Sequence, residues 1–231
     1  MKKLPVIIGN SEIYAAQKAA NFIAERAAEA IQARGVFLIA FSGGKTPLKM
    51  FEMLGRQSID WSKVHVFQVD ERLAPDGPDQ NYFQLHEALL SRVPLPPDQV
   101  HHVNQAVDAE SAAALYASAI HDFLGVKPTL DLVHLGLGSD GHTASLVPND
   151  EVLKCAEDIG VSQVYGGWRR VTMTYPMLNR ARGRLWLVTG QDKAAMLEHL
   201  LAHSGEIPAV GISRQNTVVF ADDEAATCGG E

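Results

Sequence analysis

The chain has 231 residues, 46% apolar and 20% charged, which suits one large α/β domain with a proper core. A formal net charge of −7 argues against a nucleic-acid or membrane-surface partner, because both attract a basic face. Cys155 and Cys228 lie far apart with no metal-binding spacing, and no stretch is long and apolar enough for a signal-peptide core or a membrane span, so the expectation is a soluble, cytoplasmic protein.

In chain order, Val6 to Ile8 reads as a short strand, with Asn10 or Ser11 placed to cap the helix that follows. From Glu12 to Arg34 an Ala-rich segment carries Ile13, Ala16, Ala20, Ile23, Ala27 and Ile31 at helical spacing, and Gly35 ends it. Val36 to Phe41 is a continuous apolar strand. It leads through Ser42-Gly43-Gly44-Lys45-Thr46-Pro47 into a helix reaching about Leu54. Val64 to Val69 is the next strand, followed by the charged triplet Asp70-Glu71-Arg72 and a helix from Asn81 to Leu90. Val100 to Val103 reads as a minor strand, Ala109 to Leu124 as a helix, and Leu132 to Leu135 as a buried strand. Val161–Tyr165 and Val171–Thr174 read as strands around a Gly166-Gly167 turn. Leu185–Val188 is a strand, Gln191 to His203 a helix, Val210 and Ile212 flank a turn, and Thr217–Phe220 is the last strand. The polar tail from Asp222 to Glu231 is expected to fray. Alternating strands and helices predict a single-domain, Rossmann-like α/β fold over residues 1–231: a mostly parallel sheet flanked by helices on both faces.

The chemically unusual residues fall just after strand ends. Ser42–Thr46, Asp70–Arg72, Gly136–His142 and Gly190–Lys193 would then crowd around one crevice at the carboxyl edge of the sheet. Ser42, Gly43, Gly44, Lys45 and Thr46 form a candidate anion cradle, since small residues expose backbone N–H groups and a helix N-terminus follows. The spacing is not that of a nucleotide-triphosphate loop. Lys193 and Arg170 are candidates to reach the same anion. Gly136-Leu137-Gly138-Ser139-Asp140-Gly141-His142 joins a carboxylate to an imidazole two residues on, a proton-transfer pair in which the acid fixes the tautomer of the base. Asp70 could line the crevice or orient the base in place of Asp140, while Arg72 could contact substrate. The literal GxGxxG match at Gly136–Gly141 is weak as a dinucleotide signature, because no helix is expected to open directly after it. His199 and His203 have zinc-pair spacing but no third ligand. His65, His86, His101, His102 and His121 show no partner pattern, and His134 reads as a satisfied core residue.

Taken together, Ser42-Gly43-Gly44-Lys45-Thr46-Pro47, Val69-Asp70-Glu71-Arg72, Asp79-Gln80-Asn81, Leu135 through Leu146 and Arg170-Val171-Thr172-Met173-Thr174 occur in an order that resembles the 6-phosphogluconolactonases. Leu178-Asn179-Arg180-Ala181, Val188-Thr189-Gly190 and Lys193-Ala194 continue the pattern, which spans roughly residues 10 to 220. Gln80 departs from it, since a Ser commonly precedes that Asn. Glucosamine-6-phosphate deaminases share the fold, but they typically carry Tyr after Asp-Glu and an Asn-Glu pair after Gly-His. Here Arg72 and Thr143-Ala144-Ser145-Leu146 stand at those places. The resemblance implies hydrolysis of 6-phospho-D-glucono-1,5-lactone in the oxidative pentose phosphate pathway, with no metal or organic cofactor. It implies His142 as general base, Asp140 or Asp70 behind it, and Arg72 near the developing charge. Ser42–Thr46, Arg170 and Lys193 would hold the 6-phosphate. The expected partner is the phosphorylated sugar lactone alone, without nucleic acid or membrane, for a monomer or homodimer. A deaminase-like isomerase and a non-catalytic sugar-phosphate sensor are the rival expectations.

Overall fold

The computed structural model describes residues 4–105 and 107–227. Its elements in chain order are β1 (Val6–Gly9), α1 (Glu12–Arg34), β2 (Phe37–Phe41), α2 (Leu48–Leu54), β3 (Val64–Gln68), β4 (Asp70–Arg72), α3 (Asn81–Ala88) and β5 (Val100–His101). They continue with α4 (Ala109–Leu124), β6 (Leu132–Leu135), β7 (Ile159–Tyr165), β8 (Trp168–Met173), α5 (Tyr175–Arg180), β9 (Gly183–Val188), α6 (Ala194–Ala202), β10 (Thr217–Asp222) and α7 (Asp223–Ala226).

Seven strands form a sheet in the order β1-β10-β9-β6-β2-β3-β5, and every neighbouring pair is parallel. Side chains alternate across it, so each of the five inner strands feeds two cores. Phe37, Ile39 and Phe41 of β2 join Val64, Val66, Leu185, Leu187 and Phe220 beneath α1, α2 and α3. Ala40, Phe67, Val133, Leu135, Trp186 and Val219 face the other way, against α4, α5 and α6. Strands buried on both faces need near-continuous apolar sequence, which is why they were readable. The expected parallel sheet with helices on both faces is what the chain builds.

Helix α1 begins where the Ser11 side chain accepts from the Tyr14 backbone N–H and ends where Gly35 turns left-handed. Its buried stripe is Ala15, Ala16, Ala19, Ala20, Ile23, Ala27 and Ala30. The small alanines let the helix lie close on the sheet, and Ile13 falls outside the stripe at 59% exposed.

Four features depart from the sequence reading. Asp70–Arg72 is a strand, not a loop: β4 pairs antiparallel with β8, and β8 with β7, in a second, three-stranded sheet. Helix α5, opened by Tyr175-Pro176, was not foreseen. The segment Asp222–Ala226 is ordered rather than frayed, because the Asp222 carboxylate accepts from the Ala225 N–H and from the Gly190 N–H; residues 228–231, with Cys228, lie outside the described residues. The helix expected from Gln191 starts as a 3-10 turn, Gln191–Lys193, before α6. No helix among the described residues is long and apolar enough to cross a membrane.

Candidate active site

Strand order decides where a ligand can sit. From β2 the chain runs outward to β3 and β5, and from its neighbour β6 it runs the other way to β9 and β10. The loops leaving β2 and β6 therefore diverge, opening a crevice at the carboxyl edge. A cavity of about 170 Å³ occupies it, lined by Ser42–Pro47, Asp70, Arg72, Asn81, His134, Gly136–Gly138, His142, Ala144, Arg170, Leu187 and Lys193. A larger hollow of about 1090 Å³ lies at the opposite, amino-terminal ends of the strands around Phe37, Leu132, Gly183 and Thr217. Two of its arginines, Arg34 and Arg182, are already paired with Asp131, and none of the proton-transfer candidates reaches it.

After β6 the chain folds back so that the Gly138 N–H donates to the His142 carbonyl at 2.8 Å. Asp140 Oδ1 then lies 2.6 Å from His142 Nδ1 and also accepts from the His142 backbone N–H at 3.1 Å. The turn is so tight that a Cβ on Gly138 would sit 2.0 Å from His142 Nδ1 and 2.7 Å from Asp140 Oδ1. Glycine at 138 is a condition of the pair. Burial works to raise the Asp140 carboxyl, but the hydrogen bonds from the His142 side chain and backbone and from Tyr165 outweigh it, leaving Asp140 below the usual carboxylate range. An ionised acceptor at Nδ1 puts the imidazole proton there and leaves Nε2 as the free base. No helix opens after Gly141; a 3-10 turn follows only at Glu151–Lys154, so the dinucleotide pattern lacks its context.

Asp70 is not the partner of His142. It is buried and accepts from the Ser145 hydroxyl at 2.7 Å and the Asn81 amide at 3.2 Å. The Asn81 amide also bonds the Asp70 carbonyl, so Asp70 ties β4 to α3 and to the loop beyond His142. Glu71, fully buried, collects N–H groups from Gln68, Arg72, Asn81 and Tyr82. Two of these, from Asn81 and Tyr82, are the opening amides of α3, so Glu71 caps that helix. Burial raises the Glu71 carboxyl against the pull of those donors. Arg72, held to the Asp79 carbonyl at 3.1 Å, projects at the pocket wall. Gln80, the departure from the family pattern, donates to the Ala74 carbonyl and to Asp76, which pins the loop before α3.

The cradle Ser42–Thr46 joins β2 to α2. Gly44 N–H is taken by Gln84 Oε1 at 3.0 Å, while the Ser42 hydroxyl is buried with no partner among the described residues. Lys45 is exposed, and Lys193 comes to the pocket from the other side, paired at 2.8 Å with an exposed Asp192. Arg170, register partner of Arg72 across β4 and β8, is buried and donates to the Tyr165 carbonyl at 3.0 and 3.2 Å. The structure thus brings Ser42, Gly43, Gly44, Lys45, Thr46, Asp70, Arg72, His142, Arg170 and Lys193 to one cavity, with Asp140 directly behind His142.

Two site residues were misjudged or missed. His134 is buried as expected but not satisfied: neither ring nitrogen has a partner among the described residues. Burial pushes its pKa down to about 3, so it is a neutral imidazole in the pocket floor. Tyr165, whose hydroxyl lies 2.9 Å from Asp140 Oδ2, gave no signal in sequence because it reads as an ordinary strand end. Several other histidines pair away from the pocket: His65 with His101 at 3.1 Å, His121 with Asp158 at 2.9 Å, and His199 with Ser204 at 3.3 Å. No cluster of metal-ligating side chains occurs among the described residues.

With that geometry in view, residues 10–220 match the family model for glucosamine-6-phosphate isomerases/6-phosphogluconolactonase. A curated 6-phosphogluconolactonase from a Synechocystis species is 36% identical, the match covering 91% of each chain. Among solved structures, 6-phosphogluconolactonase from Thermotoga maritima superposes with a TM-score of 0.86 at 26% identity, over 94% of this chain and 98% of that one. A structure described as a monomeric glucosamine-6-phosphate deaminase, 20% identical, shares the fold with a TM-score of 0.82 over 96% of this chain and 99% of that one.

Proposed function

The chain belongs to the glucosamine-6-phosphate isomerase/6-phosphogluconolactonase family, and from that premise we propose that it hydrolyses 6-phospho-D-glucono-1,5-lactone to 6-phospho-D-gluconate in the oxidative pentose phosphate pathway. The observation that carries this reading is the Asp140–His142 pair at 2.6 Å, facing a pocket whose other walls hold Arg72, Arg170, Lys45 and Lys193. One cavity thus brings together a candidate general base and four cationic side chains that could hold a phosphorylated sugar.

In the proposed mechanism His142 Nε2 removes a proton from water as the oxygen attacks the lactone carbonyl carbon. Asp140 holds the tautomer and stabilises the imidazolium. Arg72 stabilises negative charge on the carbonyl oxygen of the tetrahedral intermediate, in a site where fixed charges need no reorganisation. Collapse breaks the bond from the carbonyl carbon to the ring oxygen, which takes the proton back from His142, and the product is the open-chain acid. Ser42, Gly43, Gly44, Lys45, Thr46, Arg170 and Lys193 hold the 6-phosphate, and that remote binding energy positions the carbonyl. Asp70 acts indirectly, by fixing Asn81 and Ser145 around the pocket.

Lactone hydrolysis is favoured over deamination by Arg72 after Asp70-Glu71 and by Thr143–Leu146 after His142, and the intact acid–base pair favours catalysis over mere sensing. The same proposal includes a cytoplasmic setting, action as a monomer or homodimer, and no nucleic-acid or membrane partner. Acid release from freshly prepared lactone, followed above its spontaneous hydrolysis, tests the reading. Acceleration is the expected result. No acceleration, or ammonia release from glucosamine 6-phosphate instead, overturns it.

A further inference from the structure

The β7–β8 hairpin closes through Gly166 and Gly167, both at positive φ (59° and 90°), which is the two-residue turn that suits the twist of paired strands. Behind that turn the register slips. Ser162 opposes Arg170 but Tyr165 opposes Trp168, so β7 carries one more residue than β8 between those points. Such a bulge interrupts the in-out alternation and re-aims the side chain that follows. Here Gln163 and Val164 are both exposed in succession, and Tyr165 turns inward, partly buried.

Its ring then meets His142 edge-on, centroids 5.1 Å apart. The hydroxyl lies 2.9 Å from Asp140 Oδ2 and 3.3 Å from His142 Nδ1. A phenol has one proton to give. Nδ1 already spends its own on Asp140 Oδ1, so the shorter contact to the charged oxygen takes the phenol proton. Asp140 therefore accepts at both oxygens, Oδ1 from His142 and Oδ2 from Tyr165, and cannot rotate without losing one of them. Tyr165 is itself clamped: Arg170 bonds its carbonyl and stacks on its ring with the guanidinium carbon 4.9 Å from the centroid. Burial, then the hydrogen bond to Asp140 and its charge, raise the phenol above its ordinary range, so it remains a donor.

We propose that Tyr165 is a positioning residue that locks the Asp140 carboxylate, and through it the His142 tautomer with Nε2 free. The proposal rests on the reading of His142 as the general base. Arg170 links this lock to the pocket wall, so a residue assigned to anion binding also sets the geometry of the base.

Tyr165→Phe keeps the ring and removes only the hydroxyl. A hydrogen bond to a charged group contributes about 1.5–3 kcal/mol, so kcat should fall roughly 10- to 100-fold with KM for the lactone unchanged. Nitrogen NMR of the His142 ring gives a readout independent of any activity: one tautomer, protonated at Nδ1, in the parent protein, and a mixture in Tyr165→Phe. An unchanged tautomer population overturns the proposal whatever the rates do, and so does a loss expressed wholly in KM, which would make Tyr165 a substrate contact. If the parent protein fails to accelerate lactone hydrolysis, the NMR comparison still decides the role of Tyr165 separately from the proposed function.

Discussion

The two sheets serve the site in different ways. The seven-stranded parallel sheet offers position: its strand order alone makes the β2 and β6 loops diverge and leaves room between them. The three-stranded antiparallel sheet offers constraint. It carries Asp70, Arg72, Tyr165 and Arg170, the side chains that wall the pocket or hold the pair at its edge. A parallel sheet is stabilised by apolar strands buried on both faces, so charge is confined to its strand ends, as at Arg184 and Asp222. The small sheet instead buries Asp70, Glu71 and Arg170 with partners for each. The proposed chemistry sits where those two kinds of packing meet.

The largest expected effect tests the claim that proton transfer belongs to the β6 loop. His142→Ala should lower kcat by ~10²–10⁴ while leaving phosphate binding intact, read from steady-state rates with inorganic phosphate as a competing ligand. A full-rate variant would move the chemistry to the other sheet. Next comes the claim that the small sheet is held by buried polar groups. Glu71→Ala orphans four donors, two of them buried and two partly buried, and should cost roughly 3 kcal/mol, measured by urea unfolding. A loss near zero would mean that β4 and α3 are held by apolar contact alone.

A smaller effect separates anion holding from catalysis. Lys193→Ala should raise KM about tenfold with little change in kcat, and an unchanged KM would remove Lys193 from the phosphate site. The smallest concerns His134, buried in the parallel sheet with no partner for either ring nitrogen among the described residues. His134 titrates near 6.5 when unfolded and at about 3 when folded. Between those values the unfolded chain holds the proton and the folded chain does not, so stability falls as pH drops below 6.5. His134→Leu should remove a slope on the order of 1 kcal/mol per pH unit, seen in urea titrations at successively lower pH. His101, pushed down to about 4 mainly by burial, would keep a remainder.

The same contrast explains what could be read before the structure was known. Continuous apolar runs such as Phe37–Phe41 and Leu132–Leu135 announce buried parallel strands, and the glycine loops after them announce the crevice. Asp140 and His142, two residues apart, were visible as a pair because the contact is local. Asp70–Arg72 read as a loop because a three-residue charged segment has no apolar period; its pairing with β8 joins residues about a hundred positions apart. Whether Asp70 or Asp140 faces His142 stayed open for the same reason. His134 was misread because a strand pattern reports burial and says nothing about hydrogen-bond partners. Tyr165 was missed because its inward direction depends on a register slip, which no residue type encodes.

That slip has a consequence for how the site can change in evolution. The slip absorbs one extra residue in β7 between Ser162 and Tyr165 and leaves both side chains on the same face. Deleting Gln163 or Val164 would restore simple alternation with a single outward residue between Ser162 and Tyr165, so the phenol would stay on the same face and the lock would survive. In a set of related sequences such a change would show as a one-column gap beside an unchanged tyrosine, in a hairpin where gaps usually pass as neutral.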